Sequence, residues 1–200
     1  MKRILCLLLF VSIASSLQAQ QLFYSAELVF NDGTVKKGLA NSVLETHKRI
    51  KFKTSEKGEI EYFEHTSLKR VTYFDSKGSH VFDRLSRYTT IKSNSLIHDE
   101  WFQLIQPGYV SIYLYYTRMG STSGTAGFKE YFAFKEGEPG GRLVSLVASV
   151  NSNATFKRYA PIYFSDYPEL CAKIKNKELT YVDLLKAVDE YNSWHASKNN

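Results

Sequence analysis

The sequence predicts an α+β fold, in which an antiparallel β meander, partly barrel-like or sandwich-like, is followed by two or three C-terminal helices. Short runs of β-branched and aromatic residues alternate with turn signals over residues 22–150. The spacing of apolar residues then becomes helical over residues 155–196. Hydrophobic residues make up 44% and charged residues 23% of the 200 residues, which is typical of a globular domain and excludes wholesale disorder.

Hairpin signals predict the order of the strands. An Asp-Gly pair at 32–33 separates strands at 25–31 and 34–40, and such a pair supplies the positive backbone angles of a two-residue hairpin turn. Further hairpins are predicted around residues 75–78 and around the Pro-Gly pair at 107–108.

The strands at 49–53 and 59–63 carry a prediction of register. Apolar side chains fall on one face and opposite charges on the other when four pairs align: Phe52 with Ile60, Ile50 with Tyr62, Lys53 with Glu59 and Lys51 with Glu61. The basic run at 47–53 is therefore expected to form a neutralised, solvated face. The alternative is that this run contacts anionic lipid or glycan.

Two helix starts are marked in the last quarter of the chain. Asp166 is a capping residue, followed by Pro168 and Glu169 in the first helical turn. Thr180 and Asp183 form a second capping box.

Residues 1–19 predict a cleaved secretory signal peptide. Lys2 and Arg3 precede a nearly unbroken apolar run at 4–13, and Ala19 suits the cleavage site. The run is shorter than the roughly 20 apolar residues of a spanning helix. We therefore expect an exported protein, periplasmic or extracellular, with no transmembrane span after cleavage and a single domain over residues 20–200.

Loss of the signal peptide also changes the charge and the cysteine count. Removing Lys2 and Arg3 lowers the formal net charge from +6 to +4, which, together with export, argues against a nucleic-acid partner. Cys171 is then the single cysteine, so an intramolecular disulfide is excluded. We expect a small buried side chain, with pairing between chains left open.

Motifs of the common enzyme classes do not occur in the sequence. It contains no P-loop, no dinucleotide-binding glycine fingerprint and no HExxH zinc motif, and neither a cofactor nor a metal is predicted. His98, Asp99 and Glu100 form the densest polar cluster, just before Trp101. General acid–base chemistry is one interpretation, and a solvated entrance to a buried strand is the expected one.

A row of tyrosines is the predicted ligand-binding site. Tyr109, Tyr113 and Tyr115 alternate with Val110 and Ile112, so the tyrosines are expected to share one face of a strand. Sugars bind such rows because aromatic faces cover C–H patches while phenol hydroxyls form hydrogen bonds at the rim. The alternative is that the C-terminal helices bury this face.

Three segments resemble a class of uncharacterised exported bacterial proteins. They are FNDGTVKKG at 30–38, GYVSIYLY at 108–115, and YFSDYPEL at 163–170 continuing to the Tyr-Asn pair at 191–192. No catalytic residues are established in that class. The resemblance implies export and a β-rich part before a helical tail, and it assigns no activity.

These observations favour an exported, non-enzymatic domain that binds a glycan, peptide or protein partner at the cell envelope. The first alternative is a hydrolase with a site near His98 and a loop at 119–127, whose small and glycine-bearing residues predict mobility. The second alternative is a structural or assembly subunit that uses β-edge pairing, because short strands can leave an open edge.

Overall fold

The computed structural model describes residues 22–44, 48–117, 128–147 and 150–198. The predicted signal peptide and the predicted loop at 119–127 lie outside these ranges. The described residues form ten strands and three α-helices: β1 (Tyr24–Phe30), β2 (Val35–Ala40), β3 (Arg49–Lys53), β4 (Glu61–Glu64), β5 (Leu68–Asp75), β6 (Gly78–Tyr88), β7 (Leu96–Gln106), β8 (Val110–Thr117), β9 (Phe128–Lys135), β10 (Arg142–Leu146), α1 (Ser152–Tyr163), α2 (Pro168–Lys175) and α3 (Leu184–Lys198).

All ten strands belong to one antiparallel sheet, in the order β10-β9-β8-β7-β6-β5-β1-β2-β3-β4. Two meanders, β1–β4 and β5–β10, meet where β5 pairs with β1 and not with β4. The predicted α+β order is confirmed, with an antiparallel sheet that is not closed and three helices after it.

The first hairpin lies where the sequence places it, with a longer turn. The Phe30 N–H donates to the Thr34 carbonyl at 2.9 Å, which closes a loop over residues 31–33. Gly33 has a φ of 89°, whereas Asp32 is not among the residues with positive φ. This is the pattern of a turn followed by a glycine bulge, and it replaces the predicted two-residue turn.

The predicted register of β3 and β4 is wrong by one residue. Ile50 pairs with Phe63, and Lys51 pairs with Tyr62. A one-residue slip moves every side chain to the opposite face of the sheet. The physical reason is the core: the Phe63 ring lies 5.0 Å from the Phe30 ring, whereas Tyr62 is 55% exposed.

The ion pairs expected across this hairpin are replaced by others. Glu61 contacts Lys36 of β2, and Glu64 accepts a hydrogen bond from Arg49 at 2.6 Å. Lys51 lies opposite Tyr62, not opposite a glutamate. The predicted neutralisation of the basic run by Glu59 and Glu61 is therefore wrong.

Strands β6 and β7 bury side chains on both faces. Phe82 and Trp101 belong to a core cluster with β1, β2, β3 and β5. Phe102, the next residue after Trp101, points to the opposite face, where it forms a second cluster with Tyr113 and Phe132. The second half of the sheet therefore buries both of its faces, because neighbouring residues of a strand alternate and the helices cover the face opposite to Phe102.

The helices cover the face of β8 opposite to Tyr113. Val110 and Ile112 are fully buried against residues from α1, α2 and α3, including Phe156 and Tyr191. The interpretation that the helices bury the tyrosine face is therefore wrong for Tyr113 and Tyr115, which pack in the Phe102 cluster, whereas Tyr109 packs against the helical core. In the described ranges, each of the three helices is too short or too polar to cross a membrane.

Strand β10 brings the far end of the sheet back towards β6. Gly141 forms a parallel bridge with Arg87, and its N–H donates to the Ser86 carbonyl at 3.0 Å. A side chain could not be accommodated at Gly141, because a Cβ would lie 2.3 Å from a ring atom of Phe134. This approach curls the sheet around the Phe102 cluster.

The two predicted helix starts have different outcomes. The Thr180–Asp183 capping box is confirmed, with the Thr180 N–H donating to Asp183 at 2.9 Å just before α3. Pro168 occupies the start of α2 as predicted, but Asp166 does not cap this helix. Its carboxylate instead accepts a hydrogen bond from the Tyr191 hydroxyl at 2.6 Å.

Asn192 attaches α3 to the turn before β8. Its Oδ1 accepts a hydrogen bond from the Val110 N–H at 2.8 Å, and its Nδ2 donates to the Val110 carbonyl at 3.0 Å. Val110 is fully buried, so these backbone groups depend on the asparagine side chain for their hydrogen bonds.

We expect Asn192→Ala to lower the free energy of unfolding by about 2 kcal/mol, because it leaves two buried backbone groups without partners. Urea denaturation followed by tryptophan fluorescence measures the change. Ser193→Ala, an exposed change on the same helix, is the control and is expected to stay within about 0.5 kcal/mol of the parent. Equal stability of the two variants would contradict this account of α3 docking.

Candidate functional site

The three predicted ligand-binding tyrosines do not form one row. Tyr113 is buried at 8% exposure, and Tyr115 is partly buried beside Phe102, with ring centroids 5.0 Å apart. Tyr109 precedes β8 and stacks on His195 of α3 at 3.4 Å. Their role in ligand binding stays a prediction, and their hydroxyls show what two of them do within the chain.

Tyr113 completes a buried charged network. Its hydroxyl donates to Asp83 at 2.9 Å, and Asp83 is also held by two hydrogen bonds from Arg70, at 2.6 and 3.0 Å. Asp83 is 5% exposed. Burial, and then the Asp83 charge, raise the pKa of Tyr113, so its phenol stays a neutral donor.

Tyr115 has the same role for a second carboxylate. Its hydroxyl donates to Glu100 at 2.7 Å, and Glu100 is paired with Arg87, whose guanidinium lies 5.1 Å from the centre of the Tyr115 ring. Burial, together with the bond to Glu100, raises the pKa of Tyr115 to about 12. Both phenol hydroxyls therefore donate hydrogen bonds to carboxylates of the chain itself.

The polar cluster at His98 is dispersed among separate partners. His98 is exposed and contacts the Ser86 hydroxyl at 2.9 Å, while Asp99 pairs with Arg84 at 2.8 Å. The third member, Glu100, turns towards Arg87 and Tyr115. His98 lines neither of the two cavities described below. A hydrolase at this position stays a prediction.

Cys171 is buried between α1 and α2. Its Sγ contacts the Phe164 carbonyl at 3.1 Å, and the side chain packs in the helical core. Burial raises the pKa of the thiol, which keeps it protonated. This placement agrees with the expected small buried side chain.

A cavity of about 360 Å³ opens at the side of the sheet where β5, β6, β7 and β8 run together. We call it the aromatic cavity. Its lining combines five aromatic rings with four polar side chains: Tyr24, Tyr73, Phe74, Phe82 and Tyr116, with Ser42, Asp75, His80 and Gln103. A concave, mostly apolar surface with a few convergent polar groups is the usual form of a small-molecule site.

The aromatic wall of the cavity is continuous with the protein core. Tyr73 and Phe82 are core residues with rings 5.7 Å apart, and the Tyr24 ring meets Tyr73 edge-on at 6.1 Å. The Tyr73 hydroxyl donates to the Asn41 carbonyl at 2.7 Å and accepts from the Val43 N–H at 2.8 Å. These bonds hold Tyr73 in place, whereas Tyr24 is 40% exposed.

The polar side of the cavity is a chain of four hydrogen-bonding residues. Asp75 Oδ2 lies 3.0 Å from His80 Nε2, and His80 Nδ1 lies 3.5 Å from Gln103 Nε2. The Tyr116 hydroxyl donates to Gln103 Oε1 at 2.8 Å. The chain therefore crosses the cavity from β5 through β6 and β7 to β8.

Asp75 is the charged end of this chain. A hydrogen bond from the Lys77 N–H, and a further one from His80, hold the pKa of its carboxyl below the usual range. Neither lysine nor arginine occurs among the described residues that line the cavity. The cavity is therefore suited to a neutral or cationic ligand, not an anionic one.

Ser42, His80 and Asp75 share the cavity without the geometry of a hydrolytic triad. In a triad, one imidazole nitrogen faces the carboxylate and the other faces the nucleophile. Here the second nitrogen of His80 faces Gln103, and the Ser42 hydroxyl accepts a hydrogen bond from the Leu44 N–H at 3.1 Å. These contacts are not those of a triad.

A second cavity, also of about 360 Å³, lies among the helices. Its lining includes Lys157 of α1 and Lys177 beyond α2, with Phe156 and Ile174 at its base. No chain of polar groups converges in its described lining, so the aromatic cavity is the stronger candidate. Among the residues that the structure describes, no group of three His, Cys, Asp or Glu side chains is arranged to hold a metal ion.

Sequence reasoning missed the aromatic cavity. Its residues come from five strands and a loop, and Tyr24 meets Tyr73 only because β5 pairs with β1 across the intervening strands. The one local signal was the proximity of Asp75 to His80 on either side of a predicted hairpin turn.

Comparisons with family models, with curated proteins and with solved structures found no match for this chain. The resemblance to exported bacterial proteins therefore stays a prediction. The fold and the cavity place the chain in the α+β class with a candidate small-molecule site, and function has to be argued from the cavity itself.

Removing the Arg70 side chain tests whether the Tyr113 network is structural. We expect Arg70→Met to lower the free energy of unfolding by about 2–3 kcal/mol. This is a small effect for breaking an ion pair with a buried carboxylate, because the Arg70 side chain is itself half-exposed. The double change Arg70→Met/Asp83→Leu removes the uncompensated charge and should recover at least about 1 kcal/mol.

Denaturant unfolding of the single and double variants provides the measurement. Lys69→Met is the control, because Lys69 is an exposed neighbour that does not contact Asp83, and its effect is expected to stay below about 0.5 kcal/mol. A double variant less stable than Arg70→Met would contradict the assignment of Asp83 as a buried charge that needs its partner.

Proposed function

We propose that this domain binds a small neutral saccharide in the aromatic cavity. The observation that carries the proposal is the meeting of exposed and core aromatic rings with a chain of polar side chains around one opening. Aromatic faces match the apolar C–H patches of a sugar ring. Hydroxyl, amide and imidazole groups are the partners that sugar hydroxyls need, because each can donate or accept a hydrogen bond.

The size and the charge of the cavity narrow the ligand class. A volume of about 360 Å³ is at the lower end of the range for small-molecule sites, which favours a short saccharide over an extended chain. The Asp75 carboxylate would repel an acidic sugar, and no lysine or arginine in the described lining offsets it. The proposed ligand is therefore uncharged.

The proposal places this activity outside the cytoplasm. Its support is the sequence of residues 1–19, which has the order of charged, apolar and small residues of a secretory signal. A binding domain without catalytic geometry at its cavity is consistent with capture of an envelope glycan fragment. The β-edge alternative stays a prediction supported by β4, which has one hydrogen-bonded neighbour in the described sheet.

Substitution of Tyr24 tests the binding proposal. We expect a panel of neutral sugars (glucose, galactose, N-acetylglucosamine and their β-1,4 disaccharides) to include a ligand whose affinity falls about tenfold in Tyr24→Ala, because one aromatic face is lost. Titration monitored by two-dimensional NMR gives the dissociation constants. Tyr62→Ala is the matched control, since Tyr62 is an exposed strand tyrosine away from the cavity.

Four results would decide the matter. Weaker binding in Tyr24→Ala with parental binding in Tyr62→Ala supports the proposal. Absence of binding by the whole panel overturns it, and so does equal binding by both variants. Preference for choline over every sugar would also overturn it, because an aromatic site with one carboxylate could instead hold an organic cation.

Export has its own test. When the full chain is expressed in a bacterium, we expect the protein to be recovered outside the cytoplasm with Gln20 as its first residue, because Ala19 precedes the predicted cleavage site. Cell fractionation and N-terminal sequencing provide the measurement. Intact protein that retains residues 1–19 in the cytoplasm would contradict the prediction.

A further inference from the structure

The hydrogen-bond chain in the aromatic cavity has a definite direction. The ionised Asp75 carboxylate can only accept, so the proton of neutral His80 lies on Nε2 and points to Asp75. His80 Nδ1 is then an acceptor, which matches the Gln103 Nε2 amide donor that faces it. Gln103 Oε1 in turn accepts from the Tyr116 hydroxyl. Every donor in the chain points towards Asp75.

This direction decides what Tyr116 offers to a ligand. Because the Tyr116 proton is directed at Gln103, the phenol oxygen has only lone pairs left for the cavity. Burial raises the pKa of Tyr116, so the phenol does not ionise at neutral pH. In this state the cavity presents an acceptor at Tyr116.

Protonation of His80 reverses the part of the chain between His80 and Tyr116. A second proton on the imidazole makes Nδ1 a donor, which then faces the Gln103 amide nitrogen, also a donor. Rotation of the amide removes this conflict by presenting Oε1 to His80 and Nε2 to Tyr116. The phenol then accepts from Gln103, and its own proton becomes available to the cavity.

The side chains that share the cavity with His80 include one charged group. Asp75 and Tyr73 face it from β5, Gln103 from β7, Tyr116 from β8 and Tyr24 from β1. Asp75 alone among these carries a charge at neutral pH, and its bonds to the Lys77 N–H and His80 keep it ionised. Histidine is the side chain that ordinarily titrates in this interval.

We propose that protonation of His80 switches Tyr116 from hydrogen-bond acceptor to hydrogen-bond donor in the aromatic cavity, so that the ligand preference of the cavity depends on pH. The ligand part of this inference rests on the proposed saccharide function. The reversal of the chain does not, because it follows from Asp75, His80, Gln103 and Tyr116 alone.

The first experiment uses the ligand-free protein. NMR spectra of residues 20–200 are recorded between pH 5 and 8, and they should show the Nε2–H tautomer of His80 at high pH. The signals of the Gln103 side-chain amide and of Tyr116 ¹³Cζ should shift with the same midpoint as those of His80. In His80→Gln these shifts should vanish. Tyr62, away from the cavity, is the internal control. A titrating His80 with unchanged Gln103 and Tyr116 signals would overturn the switch.

The second experiment compares a bound sugar with each of its mono-O-methyl ethers. A hydroxyl can donate or accept, whereas an ether oxygen only accepts, so the ether at the Tyr116 contact is disfavoured at pH 8 and tolerated at pH 5. We expect the affinity for the sugar, divided by the affinity for that ether, to fall about tenfold from pH 8 to pH 5. The steric effect of the methyl group cancels, because it does not depend on pH.

Gln103→Met separates the two proposals. This variant keeps the cavity size and disconnects His80 from Tyr116, so the Tyr116 ¹³Cζ signal of the ligand-free variant should no longer follow His80. For any sugar that the variant still binds, the affinity ratio should lose its pH dependence. A ratio that still changes in Gln103→Met would overturn the switch and leave saccharide binding standing. Conversely, if no sugar binds, the proposed function fails, and the ligand-free NMR titration still decides whether the chain reverses.

Discussion

The fold depends on the hydrogen bonds that satisfy Asp83, a buried carboxylate in the middle of the sheet. Arg70 reaches it from β5, and Tyr113 reaches it from β8, so one charge connects three strands of the second meander. A carboxylate this deeply buried is tolerated only when its oxygens are paired. The same strand also marks where the sheet begins to bury both of its faces, since Phe82 belongs to the cluster of the first half and Asp83 lies opposite Phe102 of the second cluster.

The position of the candidate site follows from the face that the first half of the sheet buries. Because the first half of the sheet buries the face that carries Tyr73 and Phe82, the core continues up to the ends of β5 and β6 and forms the floor of the aromatic cavity. Preorganised rings need no ordering when a ligand arrives, which lowers the entropic cost of binding. On the other half of the sheet, the helices occupy the equivalent face. Two of the three tyrosines expected to bind a ligand, Tyr113 and Tyr115, donate hydrogen bonds to Asp83 and Glu100.

The β3–β4 hairpin shows where prediction from sequence reached its limit. Local pairing favoured a register one residue away from the observed one, which sets Phe52 opposite Glu61 and Lys51 opposite Tyr62. The choice was made by Phe30, a residue of β1 that packs on Phe63 and leaves Tyr62 in solvent. The cavity escaped prediction for the same reason, because Tyr24 and Tyr116 are distant in sequence and come together only through the pairing of strands that are not adjacent in the chain.

By itself, the sequence determined the features that depend on neighbouring residues: the hairpins around 31–33, 75–78 and 107–108, the Thr180–Asp183 capping box and the order of strands before helices. Turn and cap chemistry is local, so it can be recognised without knowledge of the fold. Tertiary structure alone decided which face of β8 the helices cover, which carboxylates accept hydrogen bonds from Tyr113 and Tyr115, and which rings surround the cavity. A strand's two-residue period is the same whichever face is buried, and only packing against distant strands and helices selects between the two.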